Sequence, residues 1–390
     1  MENPKIRFKG YTKDWEQRKL GDVFKEYSEK NHTELSALTI IQGGGTVKRE
    51  DSDRNLMYDT SNLSNYKMVR KDDFIVHLRS FEGGLEKSSL DGIISPAYHT
   101  FHSDMADSRF YYPYFRSYEF IKHKLVSHVY GIRDGRSIDI DGMKTIEIPY
   151  TSIEEQRKIG DYLDCLDHLI TLHQRKCEQT KKLKKYMLQK MFPQNGAKVP
   201  EIRFDGFTYD WEQRKLKEIA DKVSEKNKNN EFSEPFTNSA EQGIISQKDY
   251  FDREIVNNEN LDSYYIVRND DFIYNPRISV TAPVGPINRN RLGRNGVMSP
   301  LYTVFRTHDI DNLYLEFYFK TTKWHRFMKL NGDSGARFDR FTISSTQFME
   351  MPIPYPMLDE QRKMGEYFDS LDHLITLHQR QHKLHLNMLL

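Results

Sequence analysis

The chain contains an internal repeat, and this repeat constrains its fold more than any other feature. The segment IRFKGYT at 6–12 returns as IRFDGFT at 202–208, and DWEQRKL at 14–20 recurs unchanged at 210–216. Later, EEQRKIGDYLDC at 154–165 returns as DEQRKMGEYFDS at 359–370, and DHLITLHQR at 167–175 recurs unchanged at 372–380. Because such self-similarity marks a structural unit that is used more than once, we predict two units, each a variable body followed by a nearly identical tail.

The bodies diverge between these repeated blocks. Only short echoes remain, such as VRKDDFI at 69–75 with VRNDDFI at 267–273, and the Gly-x-Arg-x-x-Arg pattern at 131–136 and 335–340. A duplication that only doubled a core should repeat apolar positions throughout, so identical supports carrying different bodies favour two modules that recognise different things. We place the first body at 1–150, the first tail at 151–195, the second body at 196–355 and the second tail at 356–390.

Each tail has the pattern of a long amphipathic helix. Its apolar residues follow steps of three and four, which is typical of a narrow coiled-coil seam. A first helix from about 154 to 192 would span about 57 Å at ~1.5 Å per residue and stop at Pro193. We expect the two tails to pack on each other as an antiparallel, pseudo-two-fold coiled coil, because a small body cannot bury so long a seam. The predicted seam residues are Ile159, Leu163, Leu166, Ile170 and His173, with Met364, Phe368, Leu371, Ile375 and His378.

The bodies combine short β-rich runs, such as 73–76 and 145–149, with polar loops and aromatic helices at 111–124 and 312–329. This mixture predicts an α+β fold class, with two tandem bodies of mixed helix and strand separated by the long helices. At 390 residues, the chain is also too long for one ordinary core.

Composition limits the functions that charge alone can support. Lys and Arg total 58 against 57 Asp and Glu, so a nucleic-acid site must be a local patch. The two cysteines, Cys165 and Cys177, are predicted to be free thiols in a reducing compartment. The chain shows no apolar leader and no apolar run of about 18 residues, so we expect a cytoplasmic protein.

Two tandem repeats on an antiparallel spacer would share the local two-fold symmetry of duplex DNA. Such a molecule can place each body in a major groove about one helical turn (~34–36 Å) apart, with the spacer as a ruler. DNA contacts should come from Arg, Lys, Asn or His on loops. The candidates are Lys48, Arg49, His77, Arg79, Arg133 and Arg136 in the first body, and Asn275, Arg277, Arg289, Arg291, Arg294, Arg337 and Arg340 in the second.

Arg79 with Arg277, Arg133 with Arg337, and Arg136 with Arg340 occupy equivalent places in the two bodies. Shared residues suit phosphate contact or loop stabilisation, so base reading is expected from residues that differ between the bodies.

Catalytic motifs are absent from the sequence. Asn275-Pro276-Arg277-Ile278 lacks the second proline and the aromatic residue of an adenine methyltransferase motif, and neither a Pro-Asp nuclease core nor a Walker loop occurs. His173, Cys177, His378 and His382 could form a zinc site between antiparallel tails, but polar residues that specify coiled-coil register are the favoured interpretation. The lysines between 181 and 190 could follow DNA, face solvent or contact a partner.

The order of variable body, helical tail, second body and second tail resembles the specificity (S) subunit of Type I restriction–modification enzymes. The WEQRKL openings, the Gly-x-Arg-x-x-Arg loops and the entries IPYTSIEEQRK and IPYPMLDEQRK carry this resemblance over essentially the whole chain. It implies two target-recognition domains that read the halves of a bipartite site on double-stranded DNA, and tails that dock two modification (M) subunits.

The resemblance further implies that restriction (R) subunits join the complex. The specificity subunit has no catalytic residues, metal or directly bound cofactor of its own, and S-adenosylmethionine, ATP and Mg are expected only in partner subunits. The second tail ends QHKLHLNMLL after the shared HQR and is expected to form a shorter helix, which could weaken assembly on that side. Two rival hypotheses are a stand-alone enzyme acting on nucleic acid and a coiled-coil interaction protein with no DNA role.

Overall fold

The computed structural model describes residues 4–52, 60–77, 84–131, 137–194, 196–250, 258–333 and 339–389. The chain forms two compact units, one extending to Thr171 and including the residues from Lys383 onward, the other comprising Leu172–His382. The boundary between the units falls within the two long helices. Among the described residues, no helix is long and apolar enough to span a membrane.

The first unit is an α+β assembly of short strands and helices that leads into a long helix. Its strands are Glu16–Lys19, Lys25–Tyr27, Leu38–Ile41, Gly45–Lys48, Lys67–Val69, Phe74–His77, Glu86–Lys87, Gly92–Ile94, Tyr98–His102, Val129–Tyr130, Ser137–Ile138 and Glu147–Tyr150. Its α-helices are Leu20–Val23, Ser108–Phe115, Ile140–Lys144 and the first part of Ile153–Lys190, with 3₁₀ turns at Arg49–Asp51, Thr60–Asn65 and Leu125–His128 and a π turn at Glu119–Lys124.

The second unit repeats this order. Its strands are Glu212–Lys215, Ala220–Lys222, Phe236–Ser239, Gly243–Ser246, Tyr265–Val267, Phe272–Tyr274, Ile287–Arg289, Gly296–Met298, Thr303–Thr307 and Pro352–Tyr355. Its α-helices are Gln247–Tyr250, Asn312–Phe319, His325–Asn331, Ser345–Met349 and most of Leu358–Leu389, with 3₁₀ turns at Leu216–Glu218 and Asn258–Ser263. Each of the predicted helices at 111–124 and 312–329 is therefore two separate helical segments. The first segment is rich in aromatic residues and ends at Phe115 in the first unit and at Phe319 in the second.

Each body is built on an antiparallel four-stranded sheet. In the second unit the strand order is Ala220–Lys222, Thr303–Thr307, Phe272–Tyr274 and Ile287–Arg289, and the first unit has the equivalent order. Alternate residues of a strand point to opposite faces. Phe272 and Tyr274 accordingly enter the larger core beneath the helices, while Ile273 enters a smaller core on the other face. The VRxDDFI echo thus encodes a strand buried on both faces.

The two Asp residues of the VRxDDFI segment have different structural roles. Asp72 and Asp270 adopt left-handed backbone at φ 71° and 70°, a conformation that Asp tolerates in tight turns. The buried carboxylates of Asp73 and Asp271 accept the backbone N–H of Arg70 and Arg268 at 3.0 and 2.7 Å. The carboxylates close the turns that begin the central strands.

The repeated openings and tails contact each other within each unit. Glu16–Lys19 pairs antiparallel with Glu147–Tyr150, and Glu212–Lys215 pairs in the same register with Pro352–Tyr355. The WEQRKL opening and the IPY segment are therefore the two strands of one ribbon. This ribbon delivers the chain into the long helix that follows.

The IRF blocks attach to the beginning of those helices. Arg203 donates two hydrogen bonds to Glu360 at 2.6 and 2.8 Å, and Arg7 donates two to Glu155 at 2.5 and 2.7 Å. Both carboxylates are almost fully buried, with side chains 1% exposed. Each body is consequently held to its own helix by a charged pair that solvent barely reaches.

The helices of the tails have the predicted extent. Ile153–Lys190 matches the predicted 154–192 closely, and Met191 and Phe192 then turn into the core of the second unit. Within that unit, three contacts run in opposite directions along the two helices: His173 with His378, Lys184 with Asp372, and Phe192 with Phe368. The predicted antiparallel packing is confirmed.

Candidate nucleic-acid interface

A cleft of about 400 Å³ lies beside the sheet of the second unit. One wall is the tip of the hairpin Phe236–Ser246, and the other is the loop that follows strand Phe272–Tyr274. Two predicted contact residues, Asn275 and Arg277, line it together with the hairpin residues Glu241 and Gln242. Carboxylate, amide and guanidinium groups therefore converge on one opening, which is the set of groups that reads base edges.

The loop is shaped by its own hydrogen bonds. The Asn275 amide nitrogen donates to the Asn238 carbonyl at 2.8 Å, and its oxygen accepts the backbone N–H of Arg277 at 2.9 Å. These bonds occupy much of the Asn275 side chain, so it holds the loop against the hairpin.

Arg277 is the more available group of this pair. It is exposed, and among the described residues no carboxylate lies within ion-pair distance of its guanidinium. Its backbone forms an antiparallel bridge with Arg340, and the adjoining Phe341 donates its N–H to the Pro276 carbonyl at 2.7 Å. The structure thereby brings Arg277 and Arg340, which are distant in sequence, side by side. Arg340 keeps an exposed side chain, and within the described residues its ion pair is a loose one to Asp339 at 3.9 Å.

Three further predicted arginines of this body, Arg289, Arg291 and Arg294, pair with carboxylates of the protein. Arg289 is 11% exposed and contacts Asp270 and Glu316 at 3.2 and 2.8 Å. Arg291 contacts Glu316 and Asp369 at 2.9 Å each, which ties the body to the second long helix. Arg294 makes two 2.7 Å hydrogen bonds to Glu234 at the surface. Their contact with DNA stays a prediction. Within the protein, they form ion pairs that join parts of the second unit.

In the first unit, Lys48 is exposed and lies 3.7 Å from Glu50, and Arg49 donates to the Leu38 carbonyl and lies over the Tyr66 ring. His77 ends the central strand, with its ring 5.1 Å from that of Tyr98.

Four further predicted residues lie outside the described residues: Arg79, Arg133, Arg136 and Arg337.

Sequence reasoning missed the hairpin tip of the second body. Ser239, Glu241 and Gln242 were overlooked because they carry no echo in the first body. The signal was nevertheless present, since a polar NSAEQG run between two β-rich segments marks a hairpin turn, and Gly243 provides its left-handed residue at φ 74°. That base reading falls to such unmatched residues stays a prediction.

The seam residues occupy two different environments. Leu166 is 3% exposed in the first unit, where Ile159 packs against the body core and Leu163 and Ile170 are half-buried. In the second unit, Met364, Phe368 and Leu371 belong to the body core, and Ile375 is half-buried. The seam at the start of each long helix therefore packs mainly against the body, and His173 and His378, further along, contact the opposite helix.

His173 and His378 face each other through their Nδ1 atoms at 3.1 Å. These residues are equivalent in the two repeats, so the two long helices meet here at the same position of their shared sequence. In the part of the chain that the structure describes, no group of three or more His, Cys, Asp or Glu residues is arranged to hold a metal ion. The polar pair instead has the position of a register-specifying contact.

Comparison with known proteins is consistent with this architecture. The model of the family described as "Type I restriction modification DNA specificity domain" matches residues 12–182 and 209–387, once for each repeat. The chain therefore belongs to this family of DNA specificity domains. The two matched ranges cover most of the chain.

Two relatives from Methanocaldococcus jannaschii are each 26% identical to the chain over 63% of its length. One is the Type I restriction enzyme MjaVIII specificity subunit, and the other is the putative type I restriction enzyme MjaX specificity subunit. The match spans 59% and 57% of these relatives' own lengths.

A solved structure shares the fold. The S subunit of a Type-I restriction-modification system from M. genitalium superimposes with a TM-score of 0.52 at 15% sequence identity, over 100% of this chain and 97% of that one.

Proposed function

We propose that this chain is the DNA-recognition subunit of a Type I restriction–modification complex. Each body reads one half of a bipartite site on double-stranded DNA, and the paired helices set the distance between the two halves. The observation that carries this proposal is a contrast between attachments that both repeats share and cleft residues that they do not share. The body is attached to its helix by the same ribbon and the same buried Arg–Glu pair in both repeats, whereas the cleft residues Glu241, Gln242 and Asn275 lie where the bodies diverge.

The helices also offer surfaces for partner subunits. Leu374 and Leu377 on the second long helix are 41% and 40% exposed, and Leu183 and Tyr186 on the first are 45% and 50% exposed. Exposed apolar groups on otherwise charged helices are typical of protein-binding surfaces. We assign them to the docking of two M subunits, which supply S-adenosylmethionine and methylation. R subunits add ATP- and Mg-dependent chemistry, and this chain contributes no catalytic group.

Exchange of one body tests the proposal. Residues 6–150 are replaced by the corresponding body of another specificity subunit, and DNA from cells that carry the chimera with its M subunit is sequenced for methylated bases. We expect one half of the methylated sequence to change while the other half and the spacing are retained. A change in both halves, or in neither, would contradict modular reading. DNA turnover by the purified chain without any partner would instead favour a stand-alone enzyme.

A further inference from the structure

A second cavity in the Leu172–His382 unit has six lysines among its thirteen lining residues. It measures about 710 Å³, and six lysines surround it: Lys181, Lys184, Lys185 and Lys190 on the first long helix, and Lys320 and Lys323 just after helix Asn312–Phe319. Asp372 and Ile375 of the second long helix complete its rim. We call this cavity the lysine recess.

Carboxylates neutralise only half of these lysines. Lys184 contacts both oxygens of Asp372 at 2.5 and 2.6 Å, Lys190 contacts Glu201 at 2.5 Å, and Lys181 contacts Glu178 at 2.8 Å. Lys320 donates to a neutral group, the Asn288 amide oxygen, at 2.5 Å. Among the described residues, no carboxylate lies within ion-pair distance of Lys185 or Lys323. The recess therefore holds three positive charges without a directly paired anion.

The pKa values of Lys320 and Lys323 agree with this excess of positive charge. The pKa of Lys320 is lowered first by burial and then by Lys184 and Arg291, although Glu316 and Asp372 act in the opposite direction. The pKa of Lys323 is lowered by burial and by Lys190, against a smaller opposing effect of Glu201. A bound anion would relieve the repulsion among these cations.

In the first unit, the cation at the position equivalent to Lys320 is neutralised by a carboxylate. Arg116 follows helix Ser108–Phe115 as Lys320 follows Asn312–Phe319, and Arg116 pairs with the buried carboxylate of Glu86. Glu86 lies opposite Ile75 in the sheet as Asn288 lies opposite Ile273. The second body thus has an amide where the first body has a carboxylate at the position that contacts the cation.

The recess is also specific to one repeat in sequence. Continuing the register of the shared LDHLITLHQR segment, the positions equivalent to Lys181, Lys184 and Lys185 are Leu386, Leu389 and Leu390. The lysines are therefore not a by-product of duplication.

We propose that the lysine recess binds the phosphate backbone of duplex DNA without reading its sequence. This proposal rests on the proposed function and adds a second contact to it. Lysine is a point charge that binds phosphate from many directions, whereas arginine is the preferred partner of carboxylates because of its two-pronged geometry. The absence of arginine from the described lining of the recess favours DNA over an acidic protein segment.

The test compares two triple variants of the full chain. The recess variant carries Lys185→Gln, Lys320→Gln and Lys323→Gln; the control carries Lys182→Gln, Lys228→Gln and Lys329→Gln at exposed lysines outside the lining. Binding to a 40-bp duplex of arbitrary sequence is measured at several salt concentrations. Each phosphate contact contributes about 0.9 to the slope of log K against log salt. We expect the recess variant to reduce that slope by about 2–3 and the control to change it by less than 1.

Each outcome has a distinct meaning. An unchanged slope in the recess variant, or an equal reduction in the control, overturns the proposal, because the effect would then be absent or due to net charge. Loss of M-subunit binding with an unchanged DNA slope overturns it in favour of an acidic protein partner. Failure of the proposed function is recognised separately, because the unmodified chain would then bind no DNA or direct no methylation.

Discussion

The buried pair of Arg203 and Glu360 allows a quantitative test of how the second body is held to its helix. The Glu360 side chain is 1% exposed and accepts hydrogen bonds from Arg203 and, at 3.1 Å, from the Trp211 indole nitrogen. Arg203→Met removes the positive charge and leaves a buried carboxylate with one neutral donor. Breaking a buried pair in this way costs about 3–5 kcal/mol. Since each 1.4 kcal/mol is tenfold in an equilibrium, local opening should become about two to three and a half orders of magnitude more frequent.

Hydrogen exchange measured by mass spectrometry reports this opening directly. We expect faster exchange in peptides that cover the ribbon strand Glu212–Lys215 and the start of helix Leu358–Leu389. The double variant Arg203→Met with Glu360→Gln contains no buried charge and retains an acceptor for Trp211, so most of the loss should be recovered. A loss below about 1 kcal/mol in the single variant, or an equal loss in the double variant, would refute the reasoning.

Three further predictions concern acid stability, specificity and assembly. In the first unit, burial raises the pKa of Glu155, but hydrogen bonds from Arg7 and Thr151 outweigh it and the net pKa is lowered. The stabilisation that Glu155 provides should therefore be complete above the ordinary pKa of 4.5 and be lost as the pH falls below that value. Arg7→Met should flatten this pH dependence of the free energy of unfolding, measured by urea unfolding at several pH values. Gln242→Ala, at an unmatched position of the cleft, should relax the methylated sequence in one half-site only, at a cost of about 1–3 kcal/mol for the loss of an amide contact to adenine, with Lys228→Ala as the control. Replacing Leu374 and Leu377 by Ser should weaken the binding of an M subunit, measured by sedimentation. The helical circular dichroism should stay unchanged. Unaltered binding would exclude this face as the docking surface.

Repetition made much of the fold predictable. The repeated helix segments revealed the two long helices, and their length relative to a small body implied that they pair. The sequence also implied that IRF, WEQRKL and IPY were structural, because they recur unchanged while the bodies differ. It did not show that these blocks contact one another, since Arg7 and Glu155 are separated by the whole first body.

The candidate site was only partly accessible to the same reasoning. Arg277 was identified from its residue type and loop context, and it lines a cleft. Arg289 and Arg291 had the same signal, yet their guanidiniums are occupied by Glu316, because three-dimensional proximity of charges cannot be read from spacing along the chain. The hairpin tip at 239–242 was missed because a unique segment carries no internal comparison.

The sequence alone determined the duplicated plan, the helical tails and the absence of familiar catalytic motifs, because periodicity and identity are properties of linear order. Tertiary structure decided which charges remain available. It paired Arg203 with Glu360 out of reach of solvent, placed Arg277 beside Arg340, and left Lys320 against an amide where the first unit places a carboxylate against Arg116. The physical reason is that a charged group's role depends on its neighbours and its desolvation, and chain folding sets both.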